Sequence, residues 1–144
     1  MSNETFDIDK EKPKKIRPSD EAGHAQMLVL ETGKKPRFFI ATDFVGGLSL
    51  IRLLGKSPES LLIQYGHDLP NGHHTYHYPT DGRLQYRDPE DRLYYNVVSG
   101  RLDVFVERPQ FGTAFKQFGV MENVRFDQDG HVVVLNGTYE VSSD

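Results

Sequence analysis

Residues 61–86 read LLIQYGHDLPNGHHTYHYPTDGRLQY, and this stretch decides the fold class. Apolar and aromatic residues alternate with polar ones in short runs. Leu69-Pro70-Asn71-Gly72 and Thr80-Asp81-Gly82 punctuate those runs. Alternation with a period of two, bounded by Pro, Asn, Asp and Gly, is the pattern of antiparallel strands. A turn centred on Pro70-Asn71 pairs Leu61–His67 with His73–Tyr78. It sets His67 opposite His74, Tyr65 opposite Tyr76 and Ile63 opposite Tyr78. A three-residue loop at Thr80-Asp81-Gly82 then places Tyr78 near Leu84 and Tyr76 near Tyr86. Tyr76, Tyr78 and Tyr86 are collected on one face as core, the register that keeps a single apolar side.

The same turn chemistry recurs downstream. Ser99-Gly100 pairs Val97 with Leu102, Tyr95 with Val104 and Leu93 with Val106. Gln128-Asp129-Gly130 sets Phe126 near Val132 and Val124 near Val134. Asn136-Gly137 places Val134 opposite Tyr139 and Val132 opposite Val141. Upstream, Met27–Leu30 and Phe38–Ala41 flank Thr32-Gly33-Lys34-Lys35-Pro36 as a hairpin or neighbouring strands. Leu48, Ile51 and Leu54 recur at helical spacing before Gly55, which predicts one short helix near 46–55. Phe111, Phe115 and Phe118 predict one or two helical turns closing an open end of the core. The expected fold is mainly β, with about ten short antiparallel strands in a sandwich or small barrel.

Charge divides the chain in two. Residues 1–24 alternate acids with Lys10, Lys12, Lys14, Lys15 and Arg17 and carry few large apolar side chains. That composition predicts a flexible charged tail. Residues 25–144 suffice for a single β-rich domain with its own core. Among 144 residues, 17 Lys and Arg stand against 21 Asp and Glu, for a net charge of -4. This balance weighs against a general nucleic-acid binder. No apolar run approaches a membrane span, and the N-terminus lacks a secretory leader's apolar stretch. The expected protein is soluble and cytoplasmic. The absence of cysteine excludes disulfides, thiolate zinc sites and Cys nucleophiles.

Chemistry concentrates at His67, Asp68, His73, His74 and His77. On a strand, His73 and His77 are separated by about 13 Å and cannot share an ion. His67 and His74 form the better pair, as cross-strand neighbours that could hold a divalent metal. A catalytic zinc needs a third ligand from elsewhere, so a metal-dependent hydrolase stands as an alternative function and metal as the one cofactor to consider. Tyrosines interleaved with Arg83, Arg87, Arg92 and Arg101 would suit single-stranded nucleic acid, but Asp88, Glu90, Asp91 and Asp103 are mixed among them. No nucleophile elbow or phosphate-binding loop is present. The leading expectation is therefore a non-catalytic binding or protein-interaction module, whose partner is another protein or a second copy of the chain. Tyr94, Phe105 and Arg101 are the expected partner contacts, on a face that mixes aromatic and polar groups as interfaces do.

Overall fold

The computed structural model describes residues 23–108 and 114–143. Its strands are β1 (Gly23–Glu31), β2 (Arg37–Ala41), β3 (Asp43–Gly46), β4 (Leu50–Leu54), β5 (Ser60–Gln64), β6 (Gly72–Tyr78), β7 (Arg83–Arg87), β8 (Leu93–Tyr94), β9 (Val97–Glu107), β10 (Lys116–Gln128) and β11 (His131–Ser142). They form two antiparallel sheets. The larger runs β2-β1-β11-β10-β9-β6 and the smaller β3-β4-β5-β7-β8. No helix occurs among the described residues.

Alternation explains the strands. β1 buries Ala25, Met27 and Val29 and turns His24, Gln26 and Leu30 outward. Across the smaller sheet, Phe44, Leu53, Leu61, Tyr86 and Tyr94 are register partners in one inward row. These side chains meet Met27, Phe39, Phe126, Leu135 and Tyr139 of the larger sheet in a single core. Each fully buried Leu, Ile or Phe contributes about 1.5–3 kcal/mol. Tyr65 and Tyr139 carry hydroxyls into that core, where they lie 2.6 Å apart, and Tyr65 donates to Gln117 Oε1 at 2.7 Å.

Several expectations are corrected. Residues 46–55 form the end of β3, a tight connection and β4, with Gly47 N–H donating to Leu50 O at 2.9 Å. Ile51 and Leu53 point inward and Leu50 and Leu54 are half-buried, so alternation overrides the helical spacing. The two hairpins read from 61–86 do not form, because β5 and β7 pair with each other while β6 pairs with β9 in the other sheet. Tyr76, Tyr78 and Tyr86 are core as expected, but they reach it from opposite sheets. β9 runs straight through Ser99-Gly100, and β11 through Asn136-Gly137. Both glycines serve space rather than turning. A Cβ on Gly100 would lie 2.5 Å from Val124 Cα, and one on Gly137 2.1 Å from Gln26 O. Between them β10 bulges after Met121, where Asn123 adopts φ 48°.

The turn at 128–131 does form, one residue tighter than expected. Asp129 (φ 51°) and Gly130 (φ 84°) make a two-residue loop. Gln128 then pairs with His131, Phe126 with Val133 and Val124 with Leu135. Two successive positive φ values match the twist of a hairpin. The one-residue slip turns Val133 and Leu135 inward in place of Val132 and Val134. β1 and β2 are neighbours as read, with Leu28 opposite Phe38. The predicted tail falls almost wholly outside the described residues, and Gly23 and His24 already belong to β1. Of the predicted aromatic stripe, Phe111 lies outside the described residues, Phe115 is buried, and Phe118 faces outward from strand β10.

Candidate interaction surface

The outward face of the six-stranded sheet is built by register. His73, Phe105, Phe118, Glu140 and His24 are successive cross-strand partners on β6, β9, β10, β11 and β1. The His73 and Phe105 rings stack at 4.4 Å and 7°, and Phe105 meets Phe118 at 6.4 Å. Phe105 stays 46% exposed and Phe118 41%. They line an open groove of about 770 Å³ with His24, Lys116, Glu107 and Glu140.

A polar cluster fixes this platform. Asp103 Oδ1 accepts from Thr75 Oγ1 at 2.7 Å and from His73 Nε2 at 2.8 Å, while Oδ2 accepts from Arg101 Nε at 2.8 Å. The His77 N–H donates to Asp81 Oδ2 instead of to β9. By strand alternation His73, Thr75 and His77 therefore sit in non-hydrogen-bonded pairs with β9, the close pairs in which side chains meet best. The Arg101, Thr75 and His73 hydrogen bonds hold the Asp103 carboxyl well below the usual carboxylate range. Such a group accepts hydrogen bonds but is a weak base at neutral pH. The Thr75 hydroxyl has already committed its proton. This geometry suits contact, not proton transfer.

The residues expected to contact a partner divide accordingly. Arg101 and Phe105 lie on this face, with Asp103 between them. Tyr94 does not join them. It is 0% exposed, pairs with Tyr86 across β7 and β8, and donates to Glu31 Oε2 at 2.8 Å. The expectation placed Leu93–Val97 beside 102–106 as a hairpin, and no such hairpin forms. His73, Thr75 and Phe118 lie on the same face but are not among the expected contacts. The spacings Arg101-x-Asp103-x-Phe105 and His73-x-Thr75 mark shared faces, but the β6–β9 pairing that joins them has no local signature.

His67 and His74 line one shallow cleft with Thr75, Tyr76 and Asp81. His74 Nε2 donates to Pro70 O at 2.7 Å and His67 Nδ1 to Asp68 O at 3.0 Å. Among the described residues no group of three or more His, Asp or Glu side chains is arranged to hold a metal ion. Of the tyrosines considered for base stacking, Tyr76, Tyr78, Tyr86 and Tyr94 are buried.

A second polar cluster lies inside the fold. Arg37 Nη2 pairs with Glu31 Oε1 at 2.8 Å and donates to Tyr86 Oη at 2.8 Å. Tyr86 in turn donates to Glu59 Oε2 at 2.5 Å. Burial raises the Glu59 carboxyl, opposed by the Tyr86 hydrogen bond and the Arg37 charge. Burial and the Glu59 hydrogen bond push the Tyr86 hydroxyl far above its ordinary range. Nearby, Asp88 is fully buried and its Oδ1 accepts from the Glu90 and Arg92 N–H groups. With Glu31, Glu59, Tyr86 and Asp88 all buried and Arg37 partly exposed, this cluster reads as a structural network. Comparison with protein-family models, curated proteins and solved structures finds no match to this chain.

Proposed function

We propose that the protein is a non-catalytic protein-interaction module that binds through the outward face of its six-stranded sheet. One observation carries this reading: the exposed Phe105–Phe118 pair, braced by stacked His73 and the anchored Asp103, lines an open groove. Large aromatic side chains left in water, on the same face as Arg101, are the residue types that supply interface energy once covered. The anchored carboxylate keeps the platform rigid, which lowers the entropy lost on binding.

A photo-crosslinking residue in place of Phe105 tests the proposal. Illumination should yield an adduct containing a polypeptide, and the companion Phe118→Ser change should abolish it. The same crosslinker in place of Tyr95, exposed but outside the groove, should give no such adduct. Absence of any polypeptide adduct at Phe105, or one containing nucleic acid, would overturn the reading.

A further inference from the structure

Five large apolar side chains that remain exposed lie on this one outward face: Leu30, Phe38, Ile40, Phe105 and Phe118. They occupy two opposite corners. Register places Phe38 and Ile40 on edge strand β2 beside Leu28 and Gln26. Phe105 and Phe118 lie three and four strands away, toward the other edge and displaced along the strands. One corner lies on the edge strand, with Phe38 57% and Ile40 49% exposed. The other is the groove.

From these corners we infer that the partner is a second copy of the chain, packed face to face about a two-fold axis. This rests on the interaction surface proposed above. The exposed Phe38 and Ile40 of each copy enter the Phe105–Phe118 groove of the other. Two different patches that bind each other make a ring or an open filament unless a two-fold axis pairs them reciprocally. A further corner permits closure, because Glu122 and its register partner Arg101 carry opposite charges there. A two-fold axis that passes between Glu122 and Arg101 and exchanges the two apolar corners brings Glu122 against Arg101 of the second copy.

The area fits. Six strands at about 4.8 Å spacing, over a length of about 30 Å, present roughly 700 Å² per copy. Stable interfaces bury about 600–1,000 Å² per partner. Two sheets packed in this way sit about 10 Å apart, the separation at which outward side chains interdigitate.

Sedimentation velocity on the full chain tests the inference. The unaltered protein should sediment as a dimer at 100 µM. Phe38→Arg and Phe105→Glu should each give monomers with unchanged circular dichroism and melting. Mixed in equal amounts, the two variants should recover a dimer, because the introduced guanidinium and carboxylate meet at one contact while the other keeps both phenylalanines. A mixture that stays monomeric overturns this arrangement, as does dimerisation that survives either single change. A wild-type monomer at 100 µM overturns the second-copy inference. In that case a polypeptide adduct of different mass from Phe105 still upholds the interaction surface, whereas no adduct removes both.

Discussion

Two clusters in this molecule use the same chemistry, a carboxylate, a guanidinium and a hydroxyl, to opposite ends. Glu31, Arg37, Glu59 and Tyr86 meet inside the fold, where the Glu31 side chain is only 2% exposed. Asp103, Arg101 and Thr75 meet on the outward sheet face, where the Arg101 side chain is 48% exposed. Inside, removing one partner strands a charge without water to solvate it. Outside, water and salt replace a lost partner at little cost. The buried cluster should therefore govern stability, and the surface cluster association.

The sharpest way to break this contrast is Arg37→Met. It leaves the Glu31 carboxylate without the guanidinium 2.8 Å away. Stranding a buried charge costs about 3–5 kcal/mol, so urea unfolding at neutral pH should show a loss of that size. A loss below about 1 kcal/mol would place the cluster with ordinary surface ion pairs. Tyr86→Phe is a smaller perturbation. It keeps the ring in the core, removes the donor to Glu59 and takes an acceptor from Arg37. An unsatisfied buried polar group costs about 1–3 kcal/mol, and the same titration measures it.

Neither cluster was legible in the sequence, although the fold class was. Antiparallel β structure followed from alternation, and the neighbouring β1 and β2 followed from their apolar runs. The failures share a cause. Glycine was read as a turn at Ser99-Gly100 and Asn136-Gly137, where it makes room for a neighbouring strand. Local turn chemistry cannot separate these uses, because the obstructing atoms belong to Val124 and Gln26, far along the chain. The register at 128–131 was missed by one residue, which is enough to reverse a face. Phe105 and Arg101 share an outward face, which alternation along one strand suffices to place. Tyr94 was misplaced because its partner β7 lies in the other sheet.

The two clusters also differ in how they respond to pH. The folded-state pKa of Glu59 is raised from its ordinary value of 4.5, burial being the largest cause. A carboxyl raised on folding favours the native state while protonated, and that contribution is lost as pH rises through the folded value. Stability should thus decline from this group as pH climbs above 4.5 toward neutrality. Glu59→Gln should flatten that limb, and urea midpoints across the range measure it. An unchanged slope would mean that another group titrates there.

The smallest stability effect is expected at Asp103, where the signs reverse. Its folded pKa is depressed, with the Arg101 hydrogen bond the largest cause. Its contribution is present above the ordinary value of 3.8 and is lost as pH falls through the folded value. Asp103→Asn should leave stability at neutral pH within about 1 kcal/mol of the unaltered chain, since water solvates the groups it releases. Association should respond more. The amide oxygen still accepts from His73 Nε2 and Thr75 Oγ1, but an NH2 stands where Oδ2 accepted from Arg101 Nε. Arg101 therefore loses its anchor on the platform. A platform that must be ordered on binding loses roughly 1 kcal/mol of affinity, about fivefold in the dissociation constant. Sedimentation equilibrium reads that shift, and a thermal melt of the same sample reads stability. If Asp103→Asn instead melts far below the unaltered chain while associating normally, the outward cluster is structural and the contrast between the two regions fails.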